Sequence, residues 1–196
     1  MSLTVGGALL ALVTASSAWY ALEGARAVPA EATSAAAADI RIVVDVSTRR
    51  LYVKQGDETI RSYAVAVGKA RYPTPKGRFR ISHLVWNPRW DPPDAGWARH
   101  ERAQRPGWNN KMGRVKMFFL EPDYFIHGTP FEGSLGEARS HGCIRMANGD
   151  AIELAALVMK HGGSPRPRSW FSRIVDHVRE TENVYLERPV PVLIRS

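Results

Sequence analysis

Cysteine is almost missing from this chain: one thiol, Cys143, in 196 residues. A lone cysteine rules out an internal disulfide and leaves an inert buried thiol, a bridge to another chain, or a reactive nucleophile. Long apolar runs are as scarce. The one that exists, at 5–22 inside MSLTVGGALLALVTASSAWYALEGARAVPA, has no Lys or Arg before it, so the charged start of an export signal is reduced to the terminal amine. Internal repeats are absent, which argues against a solenoid or propeller. His83, His100, His161 and His177 lack metal-like spacing and read as surface or structural residues.

What is present begins with Ala25-Arg26-Ala27, the small-x-small pattern of a signal-peptidase site. Residues 1–27 read as a signal peptide or, uncleaved, as an N-terminal membrane anchor, because eighteen apolar or small residues nearly span a bilayer as a helix. Residues 28–38, ending in ATSAAAA, read as a linker, and 39–196 as one domain with a core of its own. The expected destination is the periplasm or cell envelope. The formal charge of +8 belongs to that domain, since Glu23 and Arg26 cancel within 1–27. A basic surface favours polyanions; export puts acidic envelope polymers and lipid headgroups ahead of nucleic acid, which is not an expected partner.

From residue 39 the pattern is that of strands. IRIVVDV (40–46), RLYVK (50–54) and IRSYAVAVG (60–68) are short, β-branched and separated by polar turns, an antiparallel meander. A Pro/Gly turn in YPTPKGRFRI precedes a strand carrying Phe79 and Ile81, and VKMFFL (115–120) and YFIHG (124–128) are two more, the second delivering His127 at a strand end. Residues 86–114 show no period but hold Trp86, Trp90, Trp97 and Trp108 among basic residues, which suggests a lid over a groove. NGDAIELAALVMKHGG predicts a helix with Ile152, Ala155, Ala156 and Met159 on one face, Asn148 as its cap, Asp150 assisting its start and Gly162 as its stop. A second helix is predicted at 169–179, with Trp170, Ile174 and Val178 on one side. YLERPVPVLIRS then closes the chain as a strand that its prolines demote to an edge.

Cysteine attacks as thiolate and needs a histidine or other cation beside it to ionise at neutral pH. His141, two residues from Cys143 in a tight turn, points away from it. His127, arriving on a neighbouring strand, is the better base. Gly142 allows close backbone approach and dihedrals that aim successive N–H groups at one point, as an oxyanion hole requires. Arg145 carries a planar fork suited to a carboxylate, or to a structural salt bridge.

IHGTP at 126–130 followed by SLGEARSHGCIRM at 134–146, with TPKGRFRI upstream at 74–81, resembles the L,D-transpeptidase catalytic domain, the YkuD family, over roughly 40–160. The resemblance implies a mainly β, sandwich-like fold with few helices and a lid loop, and no metal or other cofactor. It implies Cys143 as nucleophile, His127 as base, the Gly128 carbonyl orienting the ring, and backbone N–H groups of His141, Gly142 and Cys143 as the oxyanion hole. Ser140 and Arg145 are candidate substrate contacts; Trp86 and Trp90 either line the cleft or pack the lid. Some branches carry asparagine at the position of Arg145. The implied substrate is a peptidoglycan tetrapeptide stem, with a second stem peptide, an envelope-lipoprotein lysine, or water as acceptor. Water would make the enzyme an L,D-carboxypeptidase; a non-catalytic peptidoglycan-binding module and a zinc site at His127, His141 and Cys143 are the readings of other classes.

Overall fold

The computed structural model describes residues 40–196; the leader or anchor expected at 1–27 and the linker at 28–38 lie outside the described residues. The short apolar runs become strands β1 (Ile40–Asp45), β2 (Arg50–Gln55), β3 (Glu58–Ala64), β4 (Val67–Gly68), β5 (Gly77–Trp86), β6 (Val115–Leu120), β7 (Tyr124–Thr129), β8 (Ala138–Ser140), β9 (Ile144–Ala147) and β10 (Glu182–Arg195). Helices α1 (Asn148–His161) and α2 (Arg168–Asp176) and two single 3-10 turns, Gly96–Ala98 and Glu132–Ser134, complete the described elements. Eight strands form one sheet in the order β3-β2-β1-β10-β5-β6-β7-β9, and β4 pairs with β8 in a second, small one.

Strand alternation sorts the sheet into two faces. On one, Leu84, Trp86, Val115, Met117, Ile126, Ile144 and Met146 are fully buried with Ala151, Leu154, Ala155 and Val158 of α1. The buried stripe of α1 thus runs 151, 154, 155, 158, a small rotation from the face predicted through Ile152 and Ala156. On the opposite face an aromatic row crosses four strands: Tyr185 stacks on His83 (4.4 Å between ring centres), His83 on Phe118 (5.1 Å), and Phe125 meets Phe118 edge-on (5.2 Å). His127 stands next along β7 on this second face, 5.4 Å from Phe125.

Three expectations change. The segment 60–68 is not a single strand: β3 ends at Ala64, Val65 N–H still bonds Arg49 O (3.0 Å), and from Ala66 the hydrogen bonds pass to β9, at the other end of the strand order, and to β8. Ala66 exchanges backbone hydrogen bonds with Arg145 (2.8 and 2.9 Å), and Val67 pairs with Ala138. The closing strand β10 is central, parallel to β1 and antiparallel to β5. Its prolines are tolerated there because β1 joins only from Val192 onward, while Pro189 falls in the irregularity between Tyr185 and Val190. Asn148 does not cap α1; Ala147 precedes the helix, and Asn148 turns inward to accept the N–H of Arg114 at 3.0 Å.

Candidate active site

Strands β7 and β9 run parallel in the register Ile126↔Ile144, His127↔Arg145, and β6 lies antiparallel on the other side with Lys116↔His127. Lys116, His127 and Arg145 therefore form a row across three strands on the face away from α1. The turn carrying Cys143 enters β9 immediately before Ile144.

Ser140 ties that turn together. Its hydroxyl donates to Cys143 O (2.5 Å) and accepts the N–H of Gly142 (3.1 Å). Gly142 has φ of 114°, and a Cβ there would lie 2.7 Å from the Tyr124 ring, so no other residue fits without displacing that ring. Lys69 N–H donates to Ser140 O (3.1 Å), so the segment that follows β3 also braces the turn.

The thiol is half-buried and donates to Asp123 O at 3.3 Å. Burial pushes its pKa up to about 11, with the Phe125 N–H and the charges of Arg145 and Lys116 opposing the rise. His127 is almost wholly enclosed. Its Nδ1–H donates to Gly128 O at 2.7 Å, which leaves Nε2 with a free lone pair. Burial first, then the charge of Arg145, pulls its pKa down to about 3, against the opposing carbonyls of Gly128 and Met112. At neutral pH the resting centre is a neutral thiol with a neutral imidazole, not an ion pair.

Residues 87–114 cover this face as a loop with structure of its own. Trp90 and Gln104 exchange backbone hydrogen bonds (3.0 and 2.8 Å), and the Asn110 side chain donates to the carbonyls of Pro88, Gln104 and Arg105 at 2.9–3.1 Å. Its two ends are joined by Asn87 N–H to Arg114 O (2.7 Å). From its middle, Trp97 lies flat on the His141 ring, 3.9 Å away and within 7° of parallel, while Tyr72 flanks His141 at 4.9 Å.

Several residues assigned from sequence take other positions. Trp86 is fully buried on the α1 face, its Nε1–H donating to Met159 Sδ (3.3 Å), because its strand parity matches Leu84. Trp90 is buried within the loop under Lys111, whose Nζ lies 4.6 Å from its ring centre. Neither lines the cleft. Ser140 is 1% exposed and spent on the turn, so it is not a substrate contact. The Gly142 N–H is engaged by Ser140, which removes it from the oxyanion hole assigned to His141, Gly142 and Cys143. Arg145 makes no salt bridge among the described residues. Trp97 was missed as a site residue: aromatic content marked the loop, but nothing local distinguishes the tryptophan that turns toward the motif. Among the described residues no three His, Cys, Asp or Glu side chains gather as a metal site would require.

A large sheet with α1 under one face and a thiol turn beside its edge strand β9 is the fold of L,D-transpeptidase catalytic domains. An L,D-transpeptidase from Mycobacterium smegmatis superposes with a TM-score of 0.52 at 18% identity, over 81% of this chain and 59% of that one. L,D-transpeptidase 3 of Mycobacterium tuberculosis gives 0.52 at 15% identity, over 80% and 61%. Residues 39–185 match the family model of the L,D-transpeptidase catalytic domain, and the chain belongs to this family, YkuD. YkuD of Bacillus licheniformis, whose name assigns it as an L,D-transpeptidase, is 35% identical over 118 residues, 60% of this chain and 59% of that protein. Its namesake in Bacillus subtilis is 32% identical over 117 residues. The chain thus spans about three fifths of the length of the curated relatives it matches.

Proposed function

We propose that this domain is a peptidoglycan L,D-transpeptidase working by acyl transfer through Cys143, in the periplasm or cell envelope, the destination expected if residues 1–27 act as an export signal. The observation that carries the reading is an enclosed imidazole on β7, its Nδ1–H pinned to Gly128 O so that Nε2 is left as acceptor, on the strand next to the one that the lone thiol's turn enters. As both groups rest neutral, His127 takes the thiol proton during attack rather than beforehand. Sulfur bonds to the carbonyl carbon at the L-centre of the third-position diamino acid of a tetrapeptide stem. The resulting oxyanion is met by the N–H groups of His141 and Cys143. The C–N bond then breaks, the departing D-alanine amine takes the proton from His127, and a thioester remains on Cys143.

An acceptor amine, from a second stem or an envelope-protein lysine, gives its proton to His127 as it attacks the thioester, and the thiol is restored. A stem acceptor makes a 3-3 cross-link; water in its place would release a tripeptide. Mass spectrometry of muropeptides after incubation with a tetrapeptide donor reads all of these products. The wild type releases D-alanine, Cys143→Ala does not while keeping its melting transition, and His127→Ala loses far more acylation than His141→Ala. D-alanine release by Cys143→Ala would overturn the mechanism.

A further inference from the structure

Lys116 and Arg145 are the two cations that flank His127, one on each neighbouring strand. Both are half-buried, and burial lowers the pKa of each. Six other Arg and Lys side chains among the described residues hold carboxylates in ion pairs; Lys116 and Arg145 hold none. Asp91, the loop carboxylate that acts on Lys116, is itself bound to Arg89 at 2.7 Å. The ammonium of Lys116 is instead kept in position by aromatic rings, 4.9 Å from the centre of Phe125 and 5.2 Å from that of Phe118. Two desolvated cations without an anion cost stability. The acidic group that acts on both is the Cys143 thiol, which burial keeps protonated and which bonds the Asp123 carbonyl rather than either cation. Their positive potential is left for an anion that arrives with a ligand.

We infer that Lys116 and Arg145 form a carboxylate-binding site beside Cys143, which reads the free terminal carboxylate of the acyl donor's leaving residue. This rests on the acyl-transfer reading above. The chemistry of that reading places the carboxylate. His127 must reach the leaving amine nitrogen to protonate it, and in a terminal amino acid the carboxylate is one carbon from that nitrogen. An anion there falls between the strands that flank His127. The pair suits it: a planar guanidinium bonds a carboxylate through two parallel N–H groups, and an ammonium adds a point charge. The site disfavours donors whose terminal carboxylate is amidated.

Alkylation of Cys143 tests this without any turnover. Iodoacetate and iodoacetamide differ in the carboxylate alone, so the ratio of their rates, normalised to glutathione, cancels changes in thiol ionisation. The full chain should show a ratio raised about tenfold, the worth of one charge-assisted contact. Lys116→Met and Arg145→Met should each return it toward that of glutathione, whereas Lys160→Met, which removes the same charge from the exposed face of α1, should not. A wild-type ratio equal to that of glutathione, or an equal loss in Lys160→Met, overturns the site. If either cleft variant fails to fold, protection of wild-type Cys143 from iodoacetamide decides. N-acetyl-D-alanine should protect and its amide should not; equal protection by both, or by neither, overturns the proposal. D-alanine release from a tetrapeptide stem reports on the acyl-transfer reading separately.

Discussion

Cys143 and His127 were legible as candidates because one residue type is unique and the other ends a strand inside a recognisable motif. Their protonation was not. The sequence suggested a thiolate kept by a nearby cation, whereas enclosure makes both members neutral, for burial disfavours either charge more than their neighbours favour it. The alkylation rate of Cys143 with iodoacetamide should therefore inflect near pH 11 rather than near the ordinary thiol value of 9.0. An inflection below 8 would mean a resting ion pair. His127 sets a second pH dependence. Its folded pKa, about 3, lies below the ordinary 6.5, so the unfolded chain binds the extra proton first. Stability held through the neutral imidazole is fully present above 6.5 and is lost as pH falls toward 3. Urea midpoints should fall across that window, and His127→Gln should flatten the fall.

Among the elements, the loop 87–114 was visible as a long aperiodic stretch rich in tryptophan, but its anchoring was not. Arg114 is fully buried where the loop rejoins the sheet. Its Nε–H donates to Asn87 Oδ1 (2.9 Å), and one terminal NH2 donates to Ile174 O (2.9 Å) and Val175 O (3.0 Å) at the C-terminal end of α2. A cation suits that end of the helix dipole. Asn87 adds donations to the carbonyls of Ile174, His177 and Glu180. Both ends of the loop are thus fastened to α2, and Trp108 lies over the Arg114 guanidinium at 4.3 Å. Arg114→Met leaves buried carbonyls unsatisfied and should cost about 3 kcal/mol in urea unfolding. A loss below about 0.5 kcal/mol would show that the loop is held from elsewhere.

At the scale of the whole domain, β10 decides whether there is one sheet or two. It supplies the bonds between β1 and β5, with Val192 facing Ile42 on one side and Phe79 on the other. Deleting residues 190–196 would expose Ile42–Asp45 and Gly77–Ile81 as unpaired edges in the middle of the sheet. The truncated chain should show no cooperative melt by circular dichroism; a retained transition would mean that β1–β3 and β5–β9 are stable apart. Reading proline as an edge signal failed here because the rule concerns a strand bonded on both sides, and the bonding partner of each proline is invisible in sequence.

The sequence by itself determined what depends on neighbours along the chain: where most strands and helices lie, which thiol and which imidazole are the candidates for chemistry, and the family, through HGT and SHGC at their spacing. Only the tertiary structure decided what depends on which strands meet and in what register: β10 at the centre, Trp97 on His141, Trp86 in the core, and Lys116 with Arg145 on either side of His127. Alternation shows that residues share a face but not which face is covered, and covering is settled by long-range burial that no local pattern encodes.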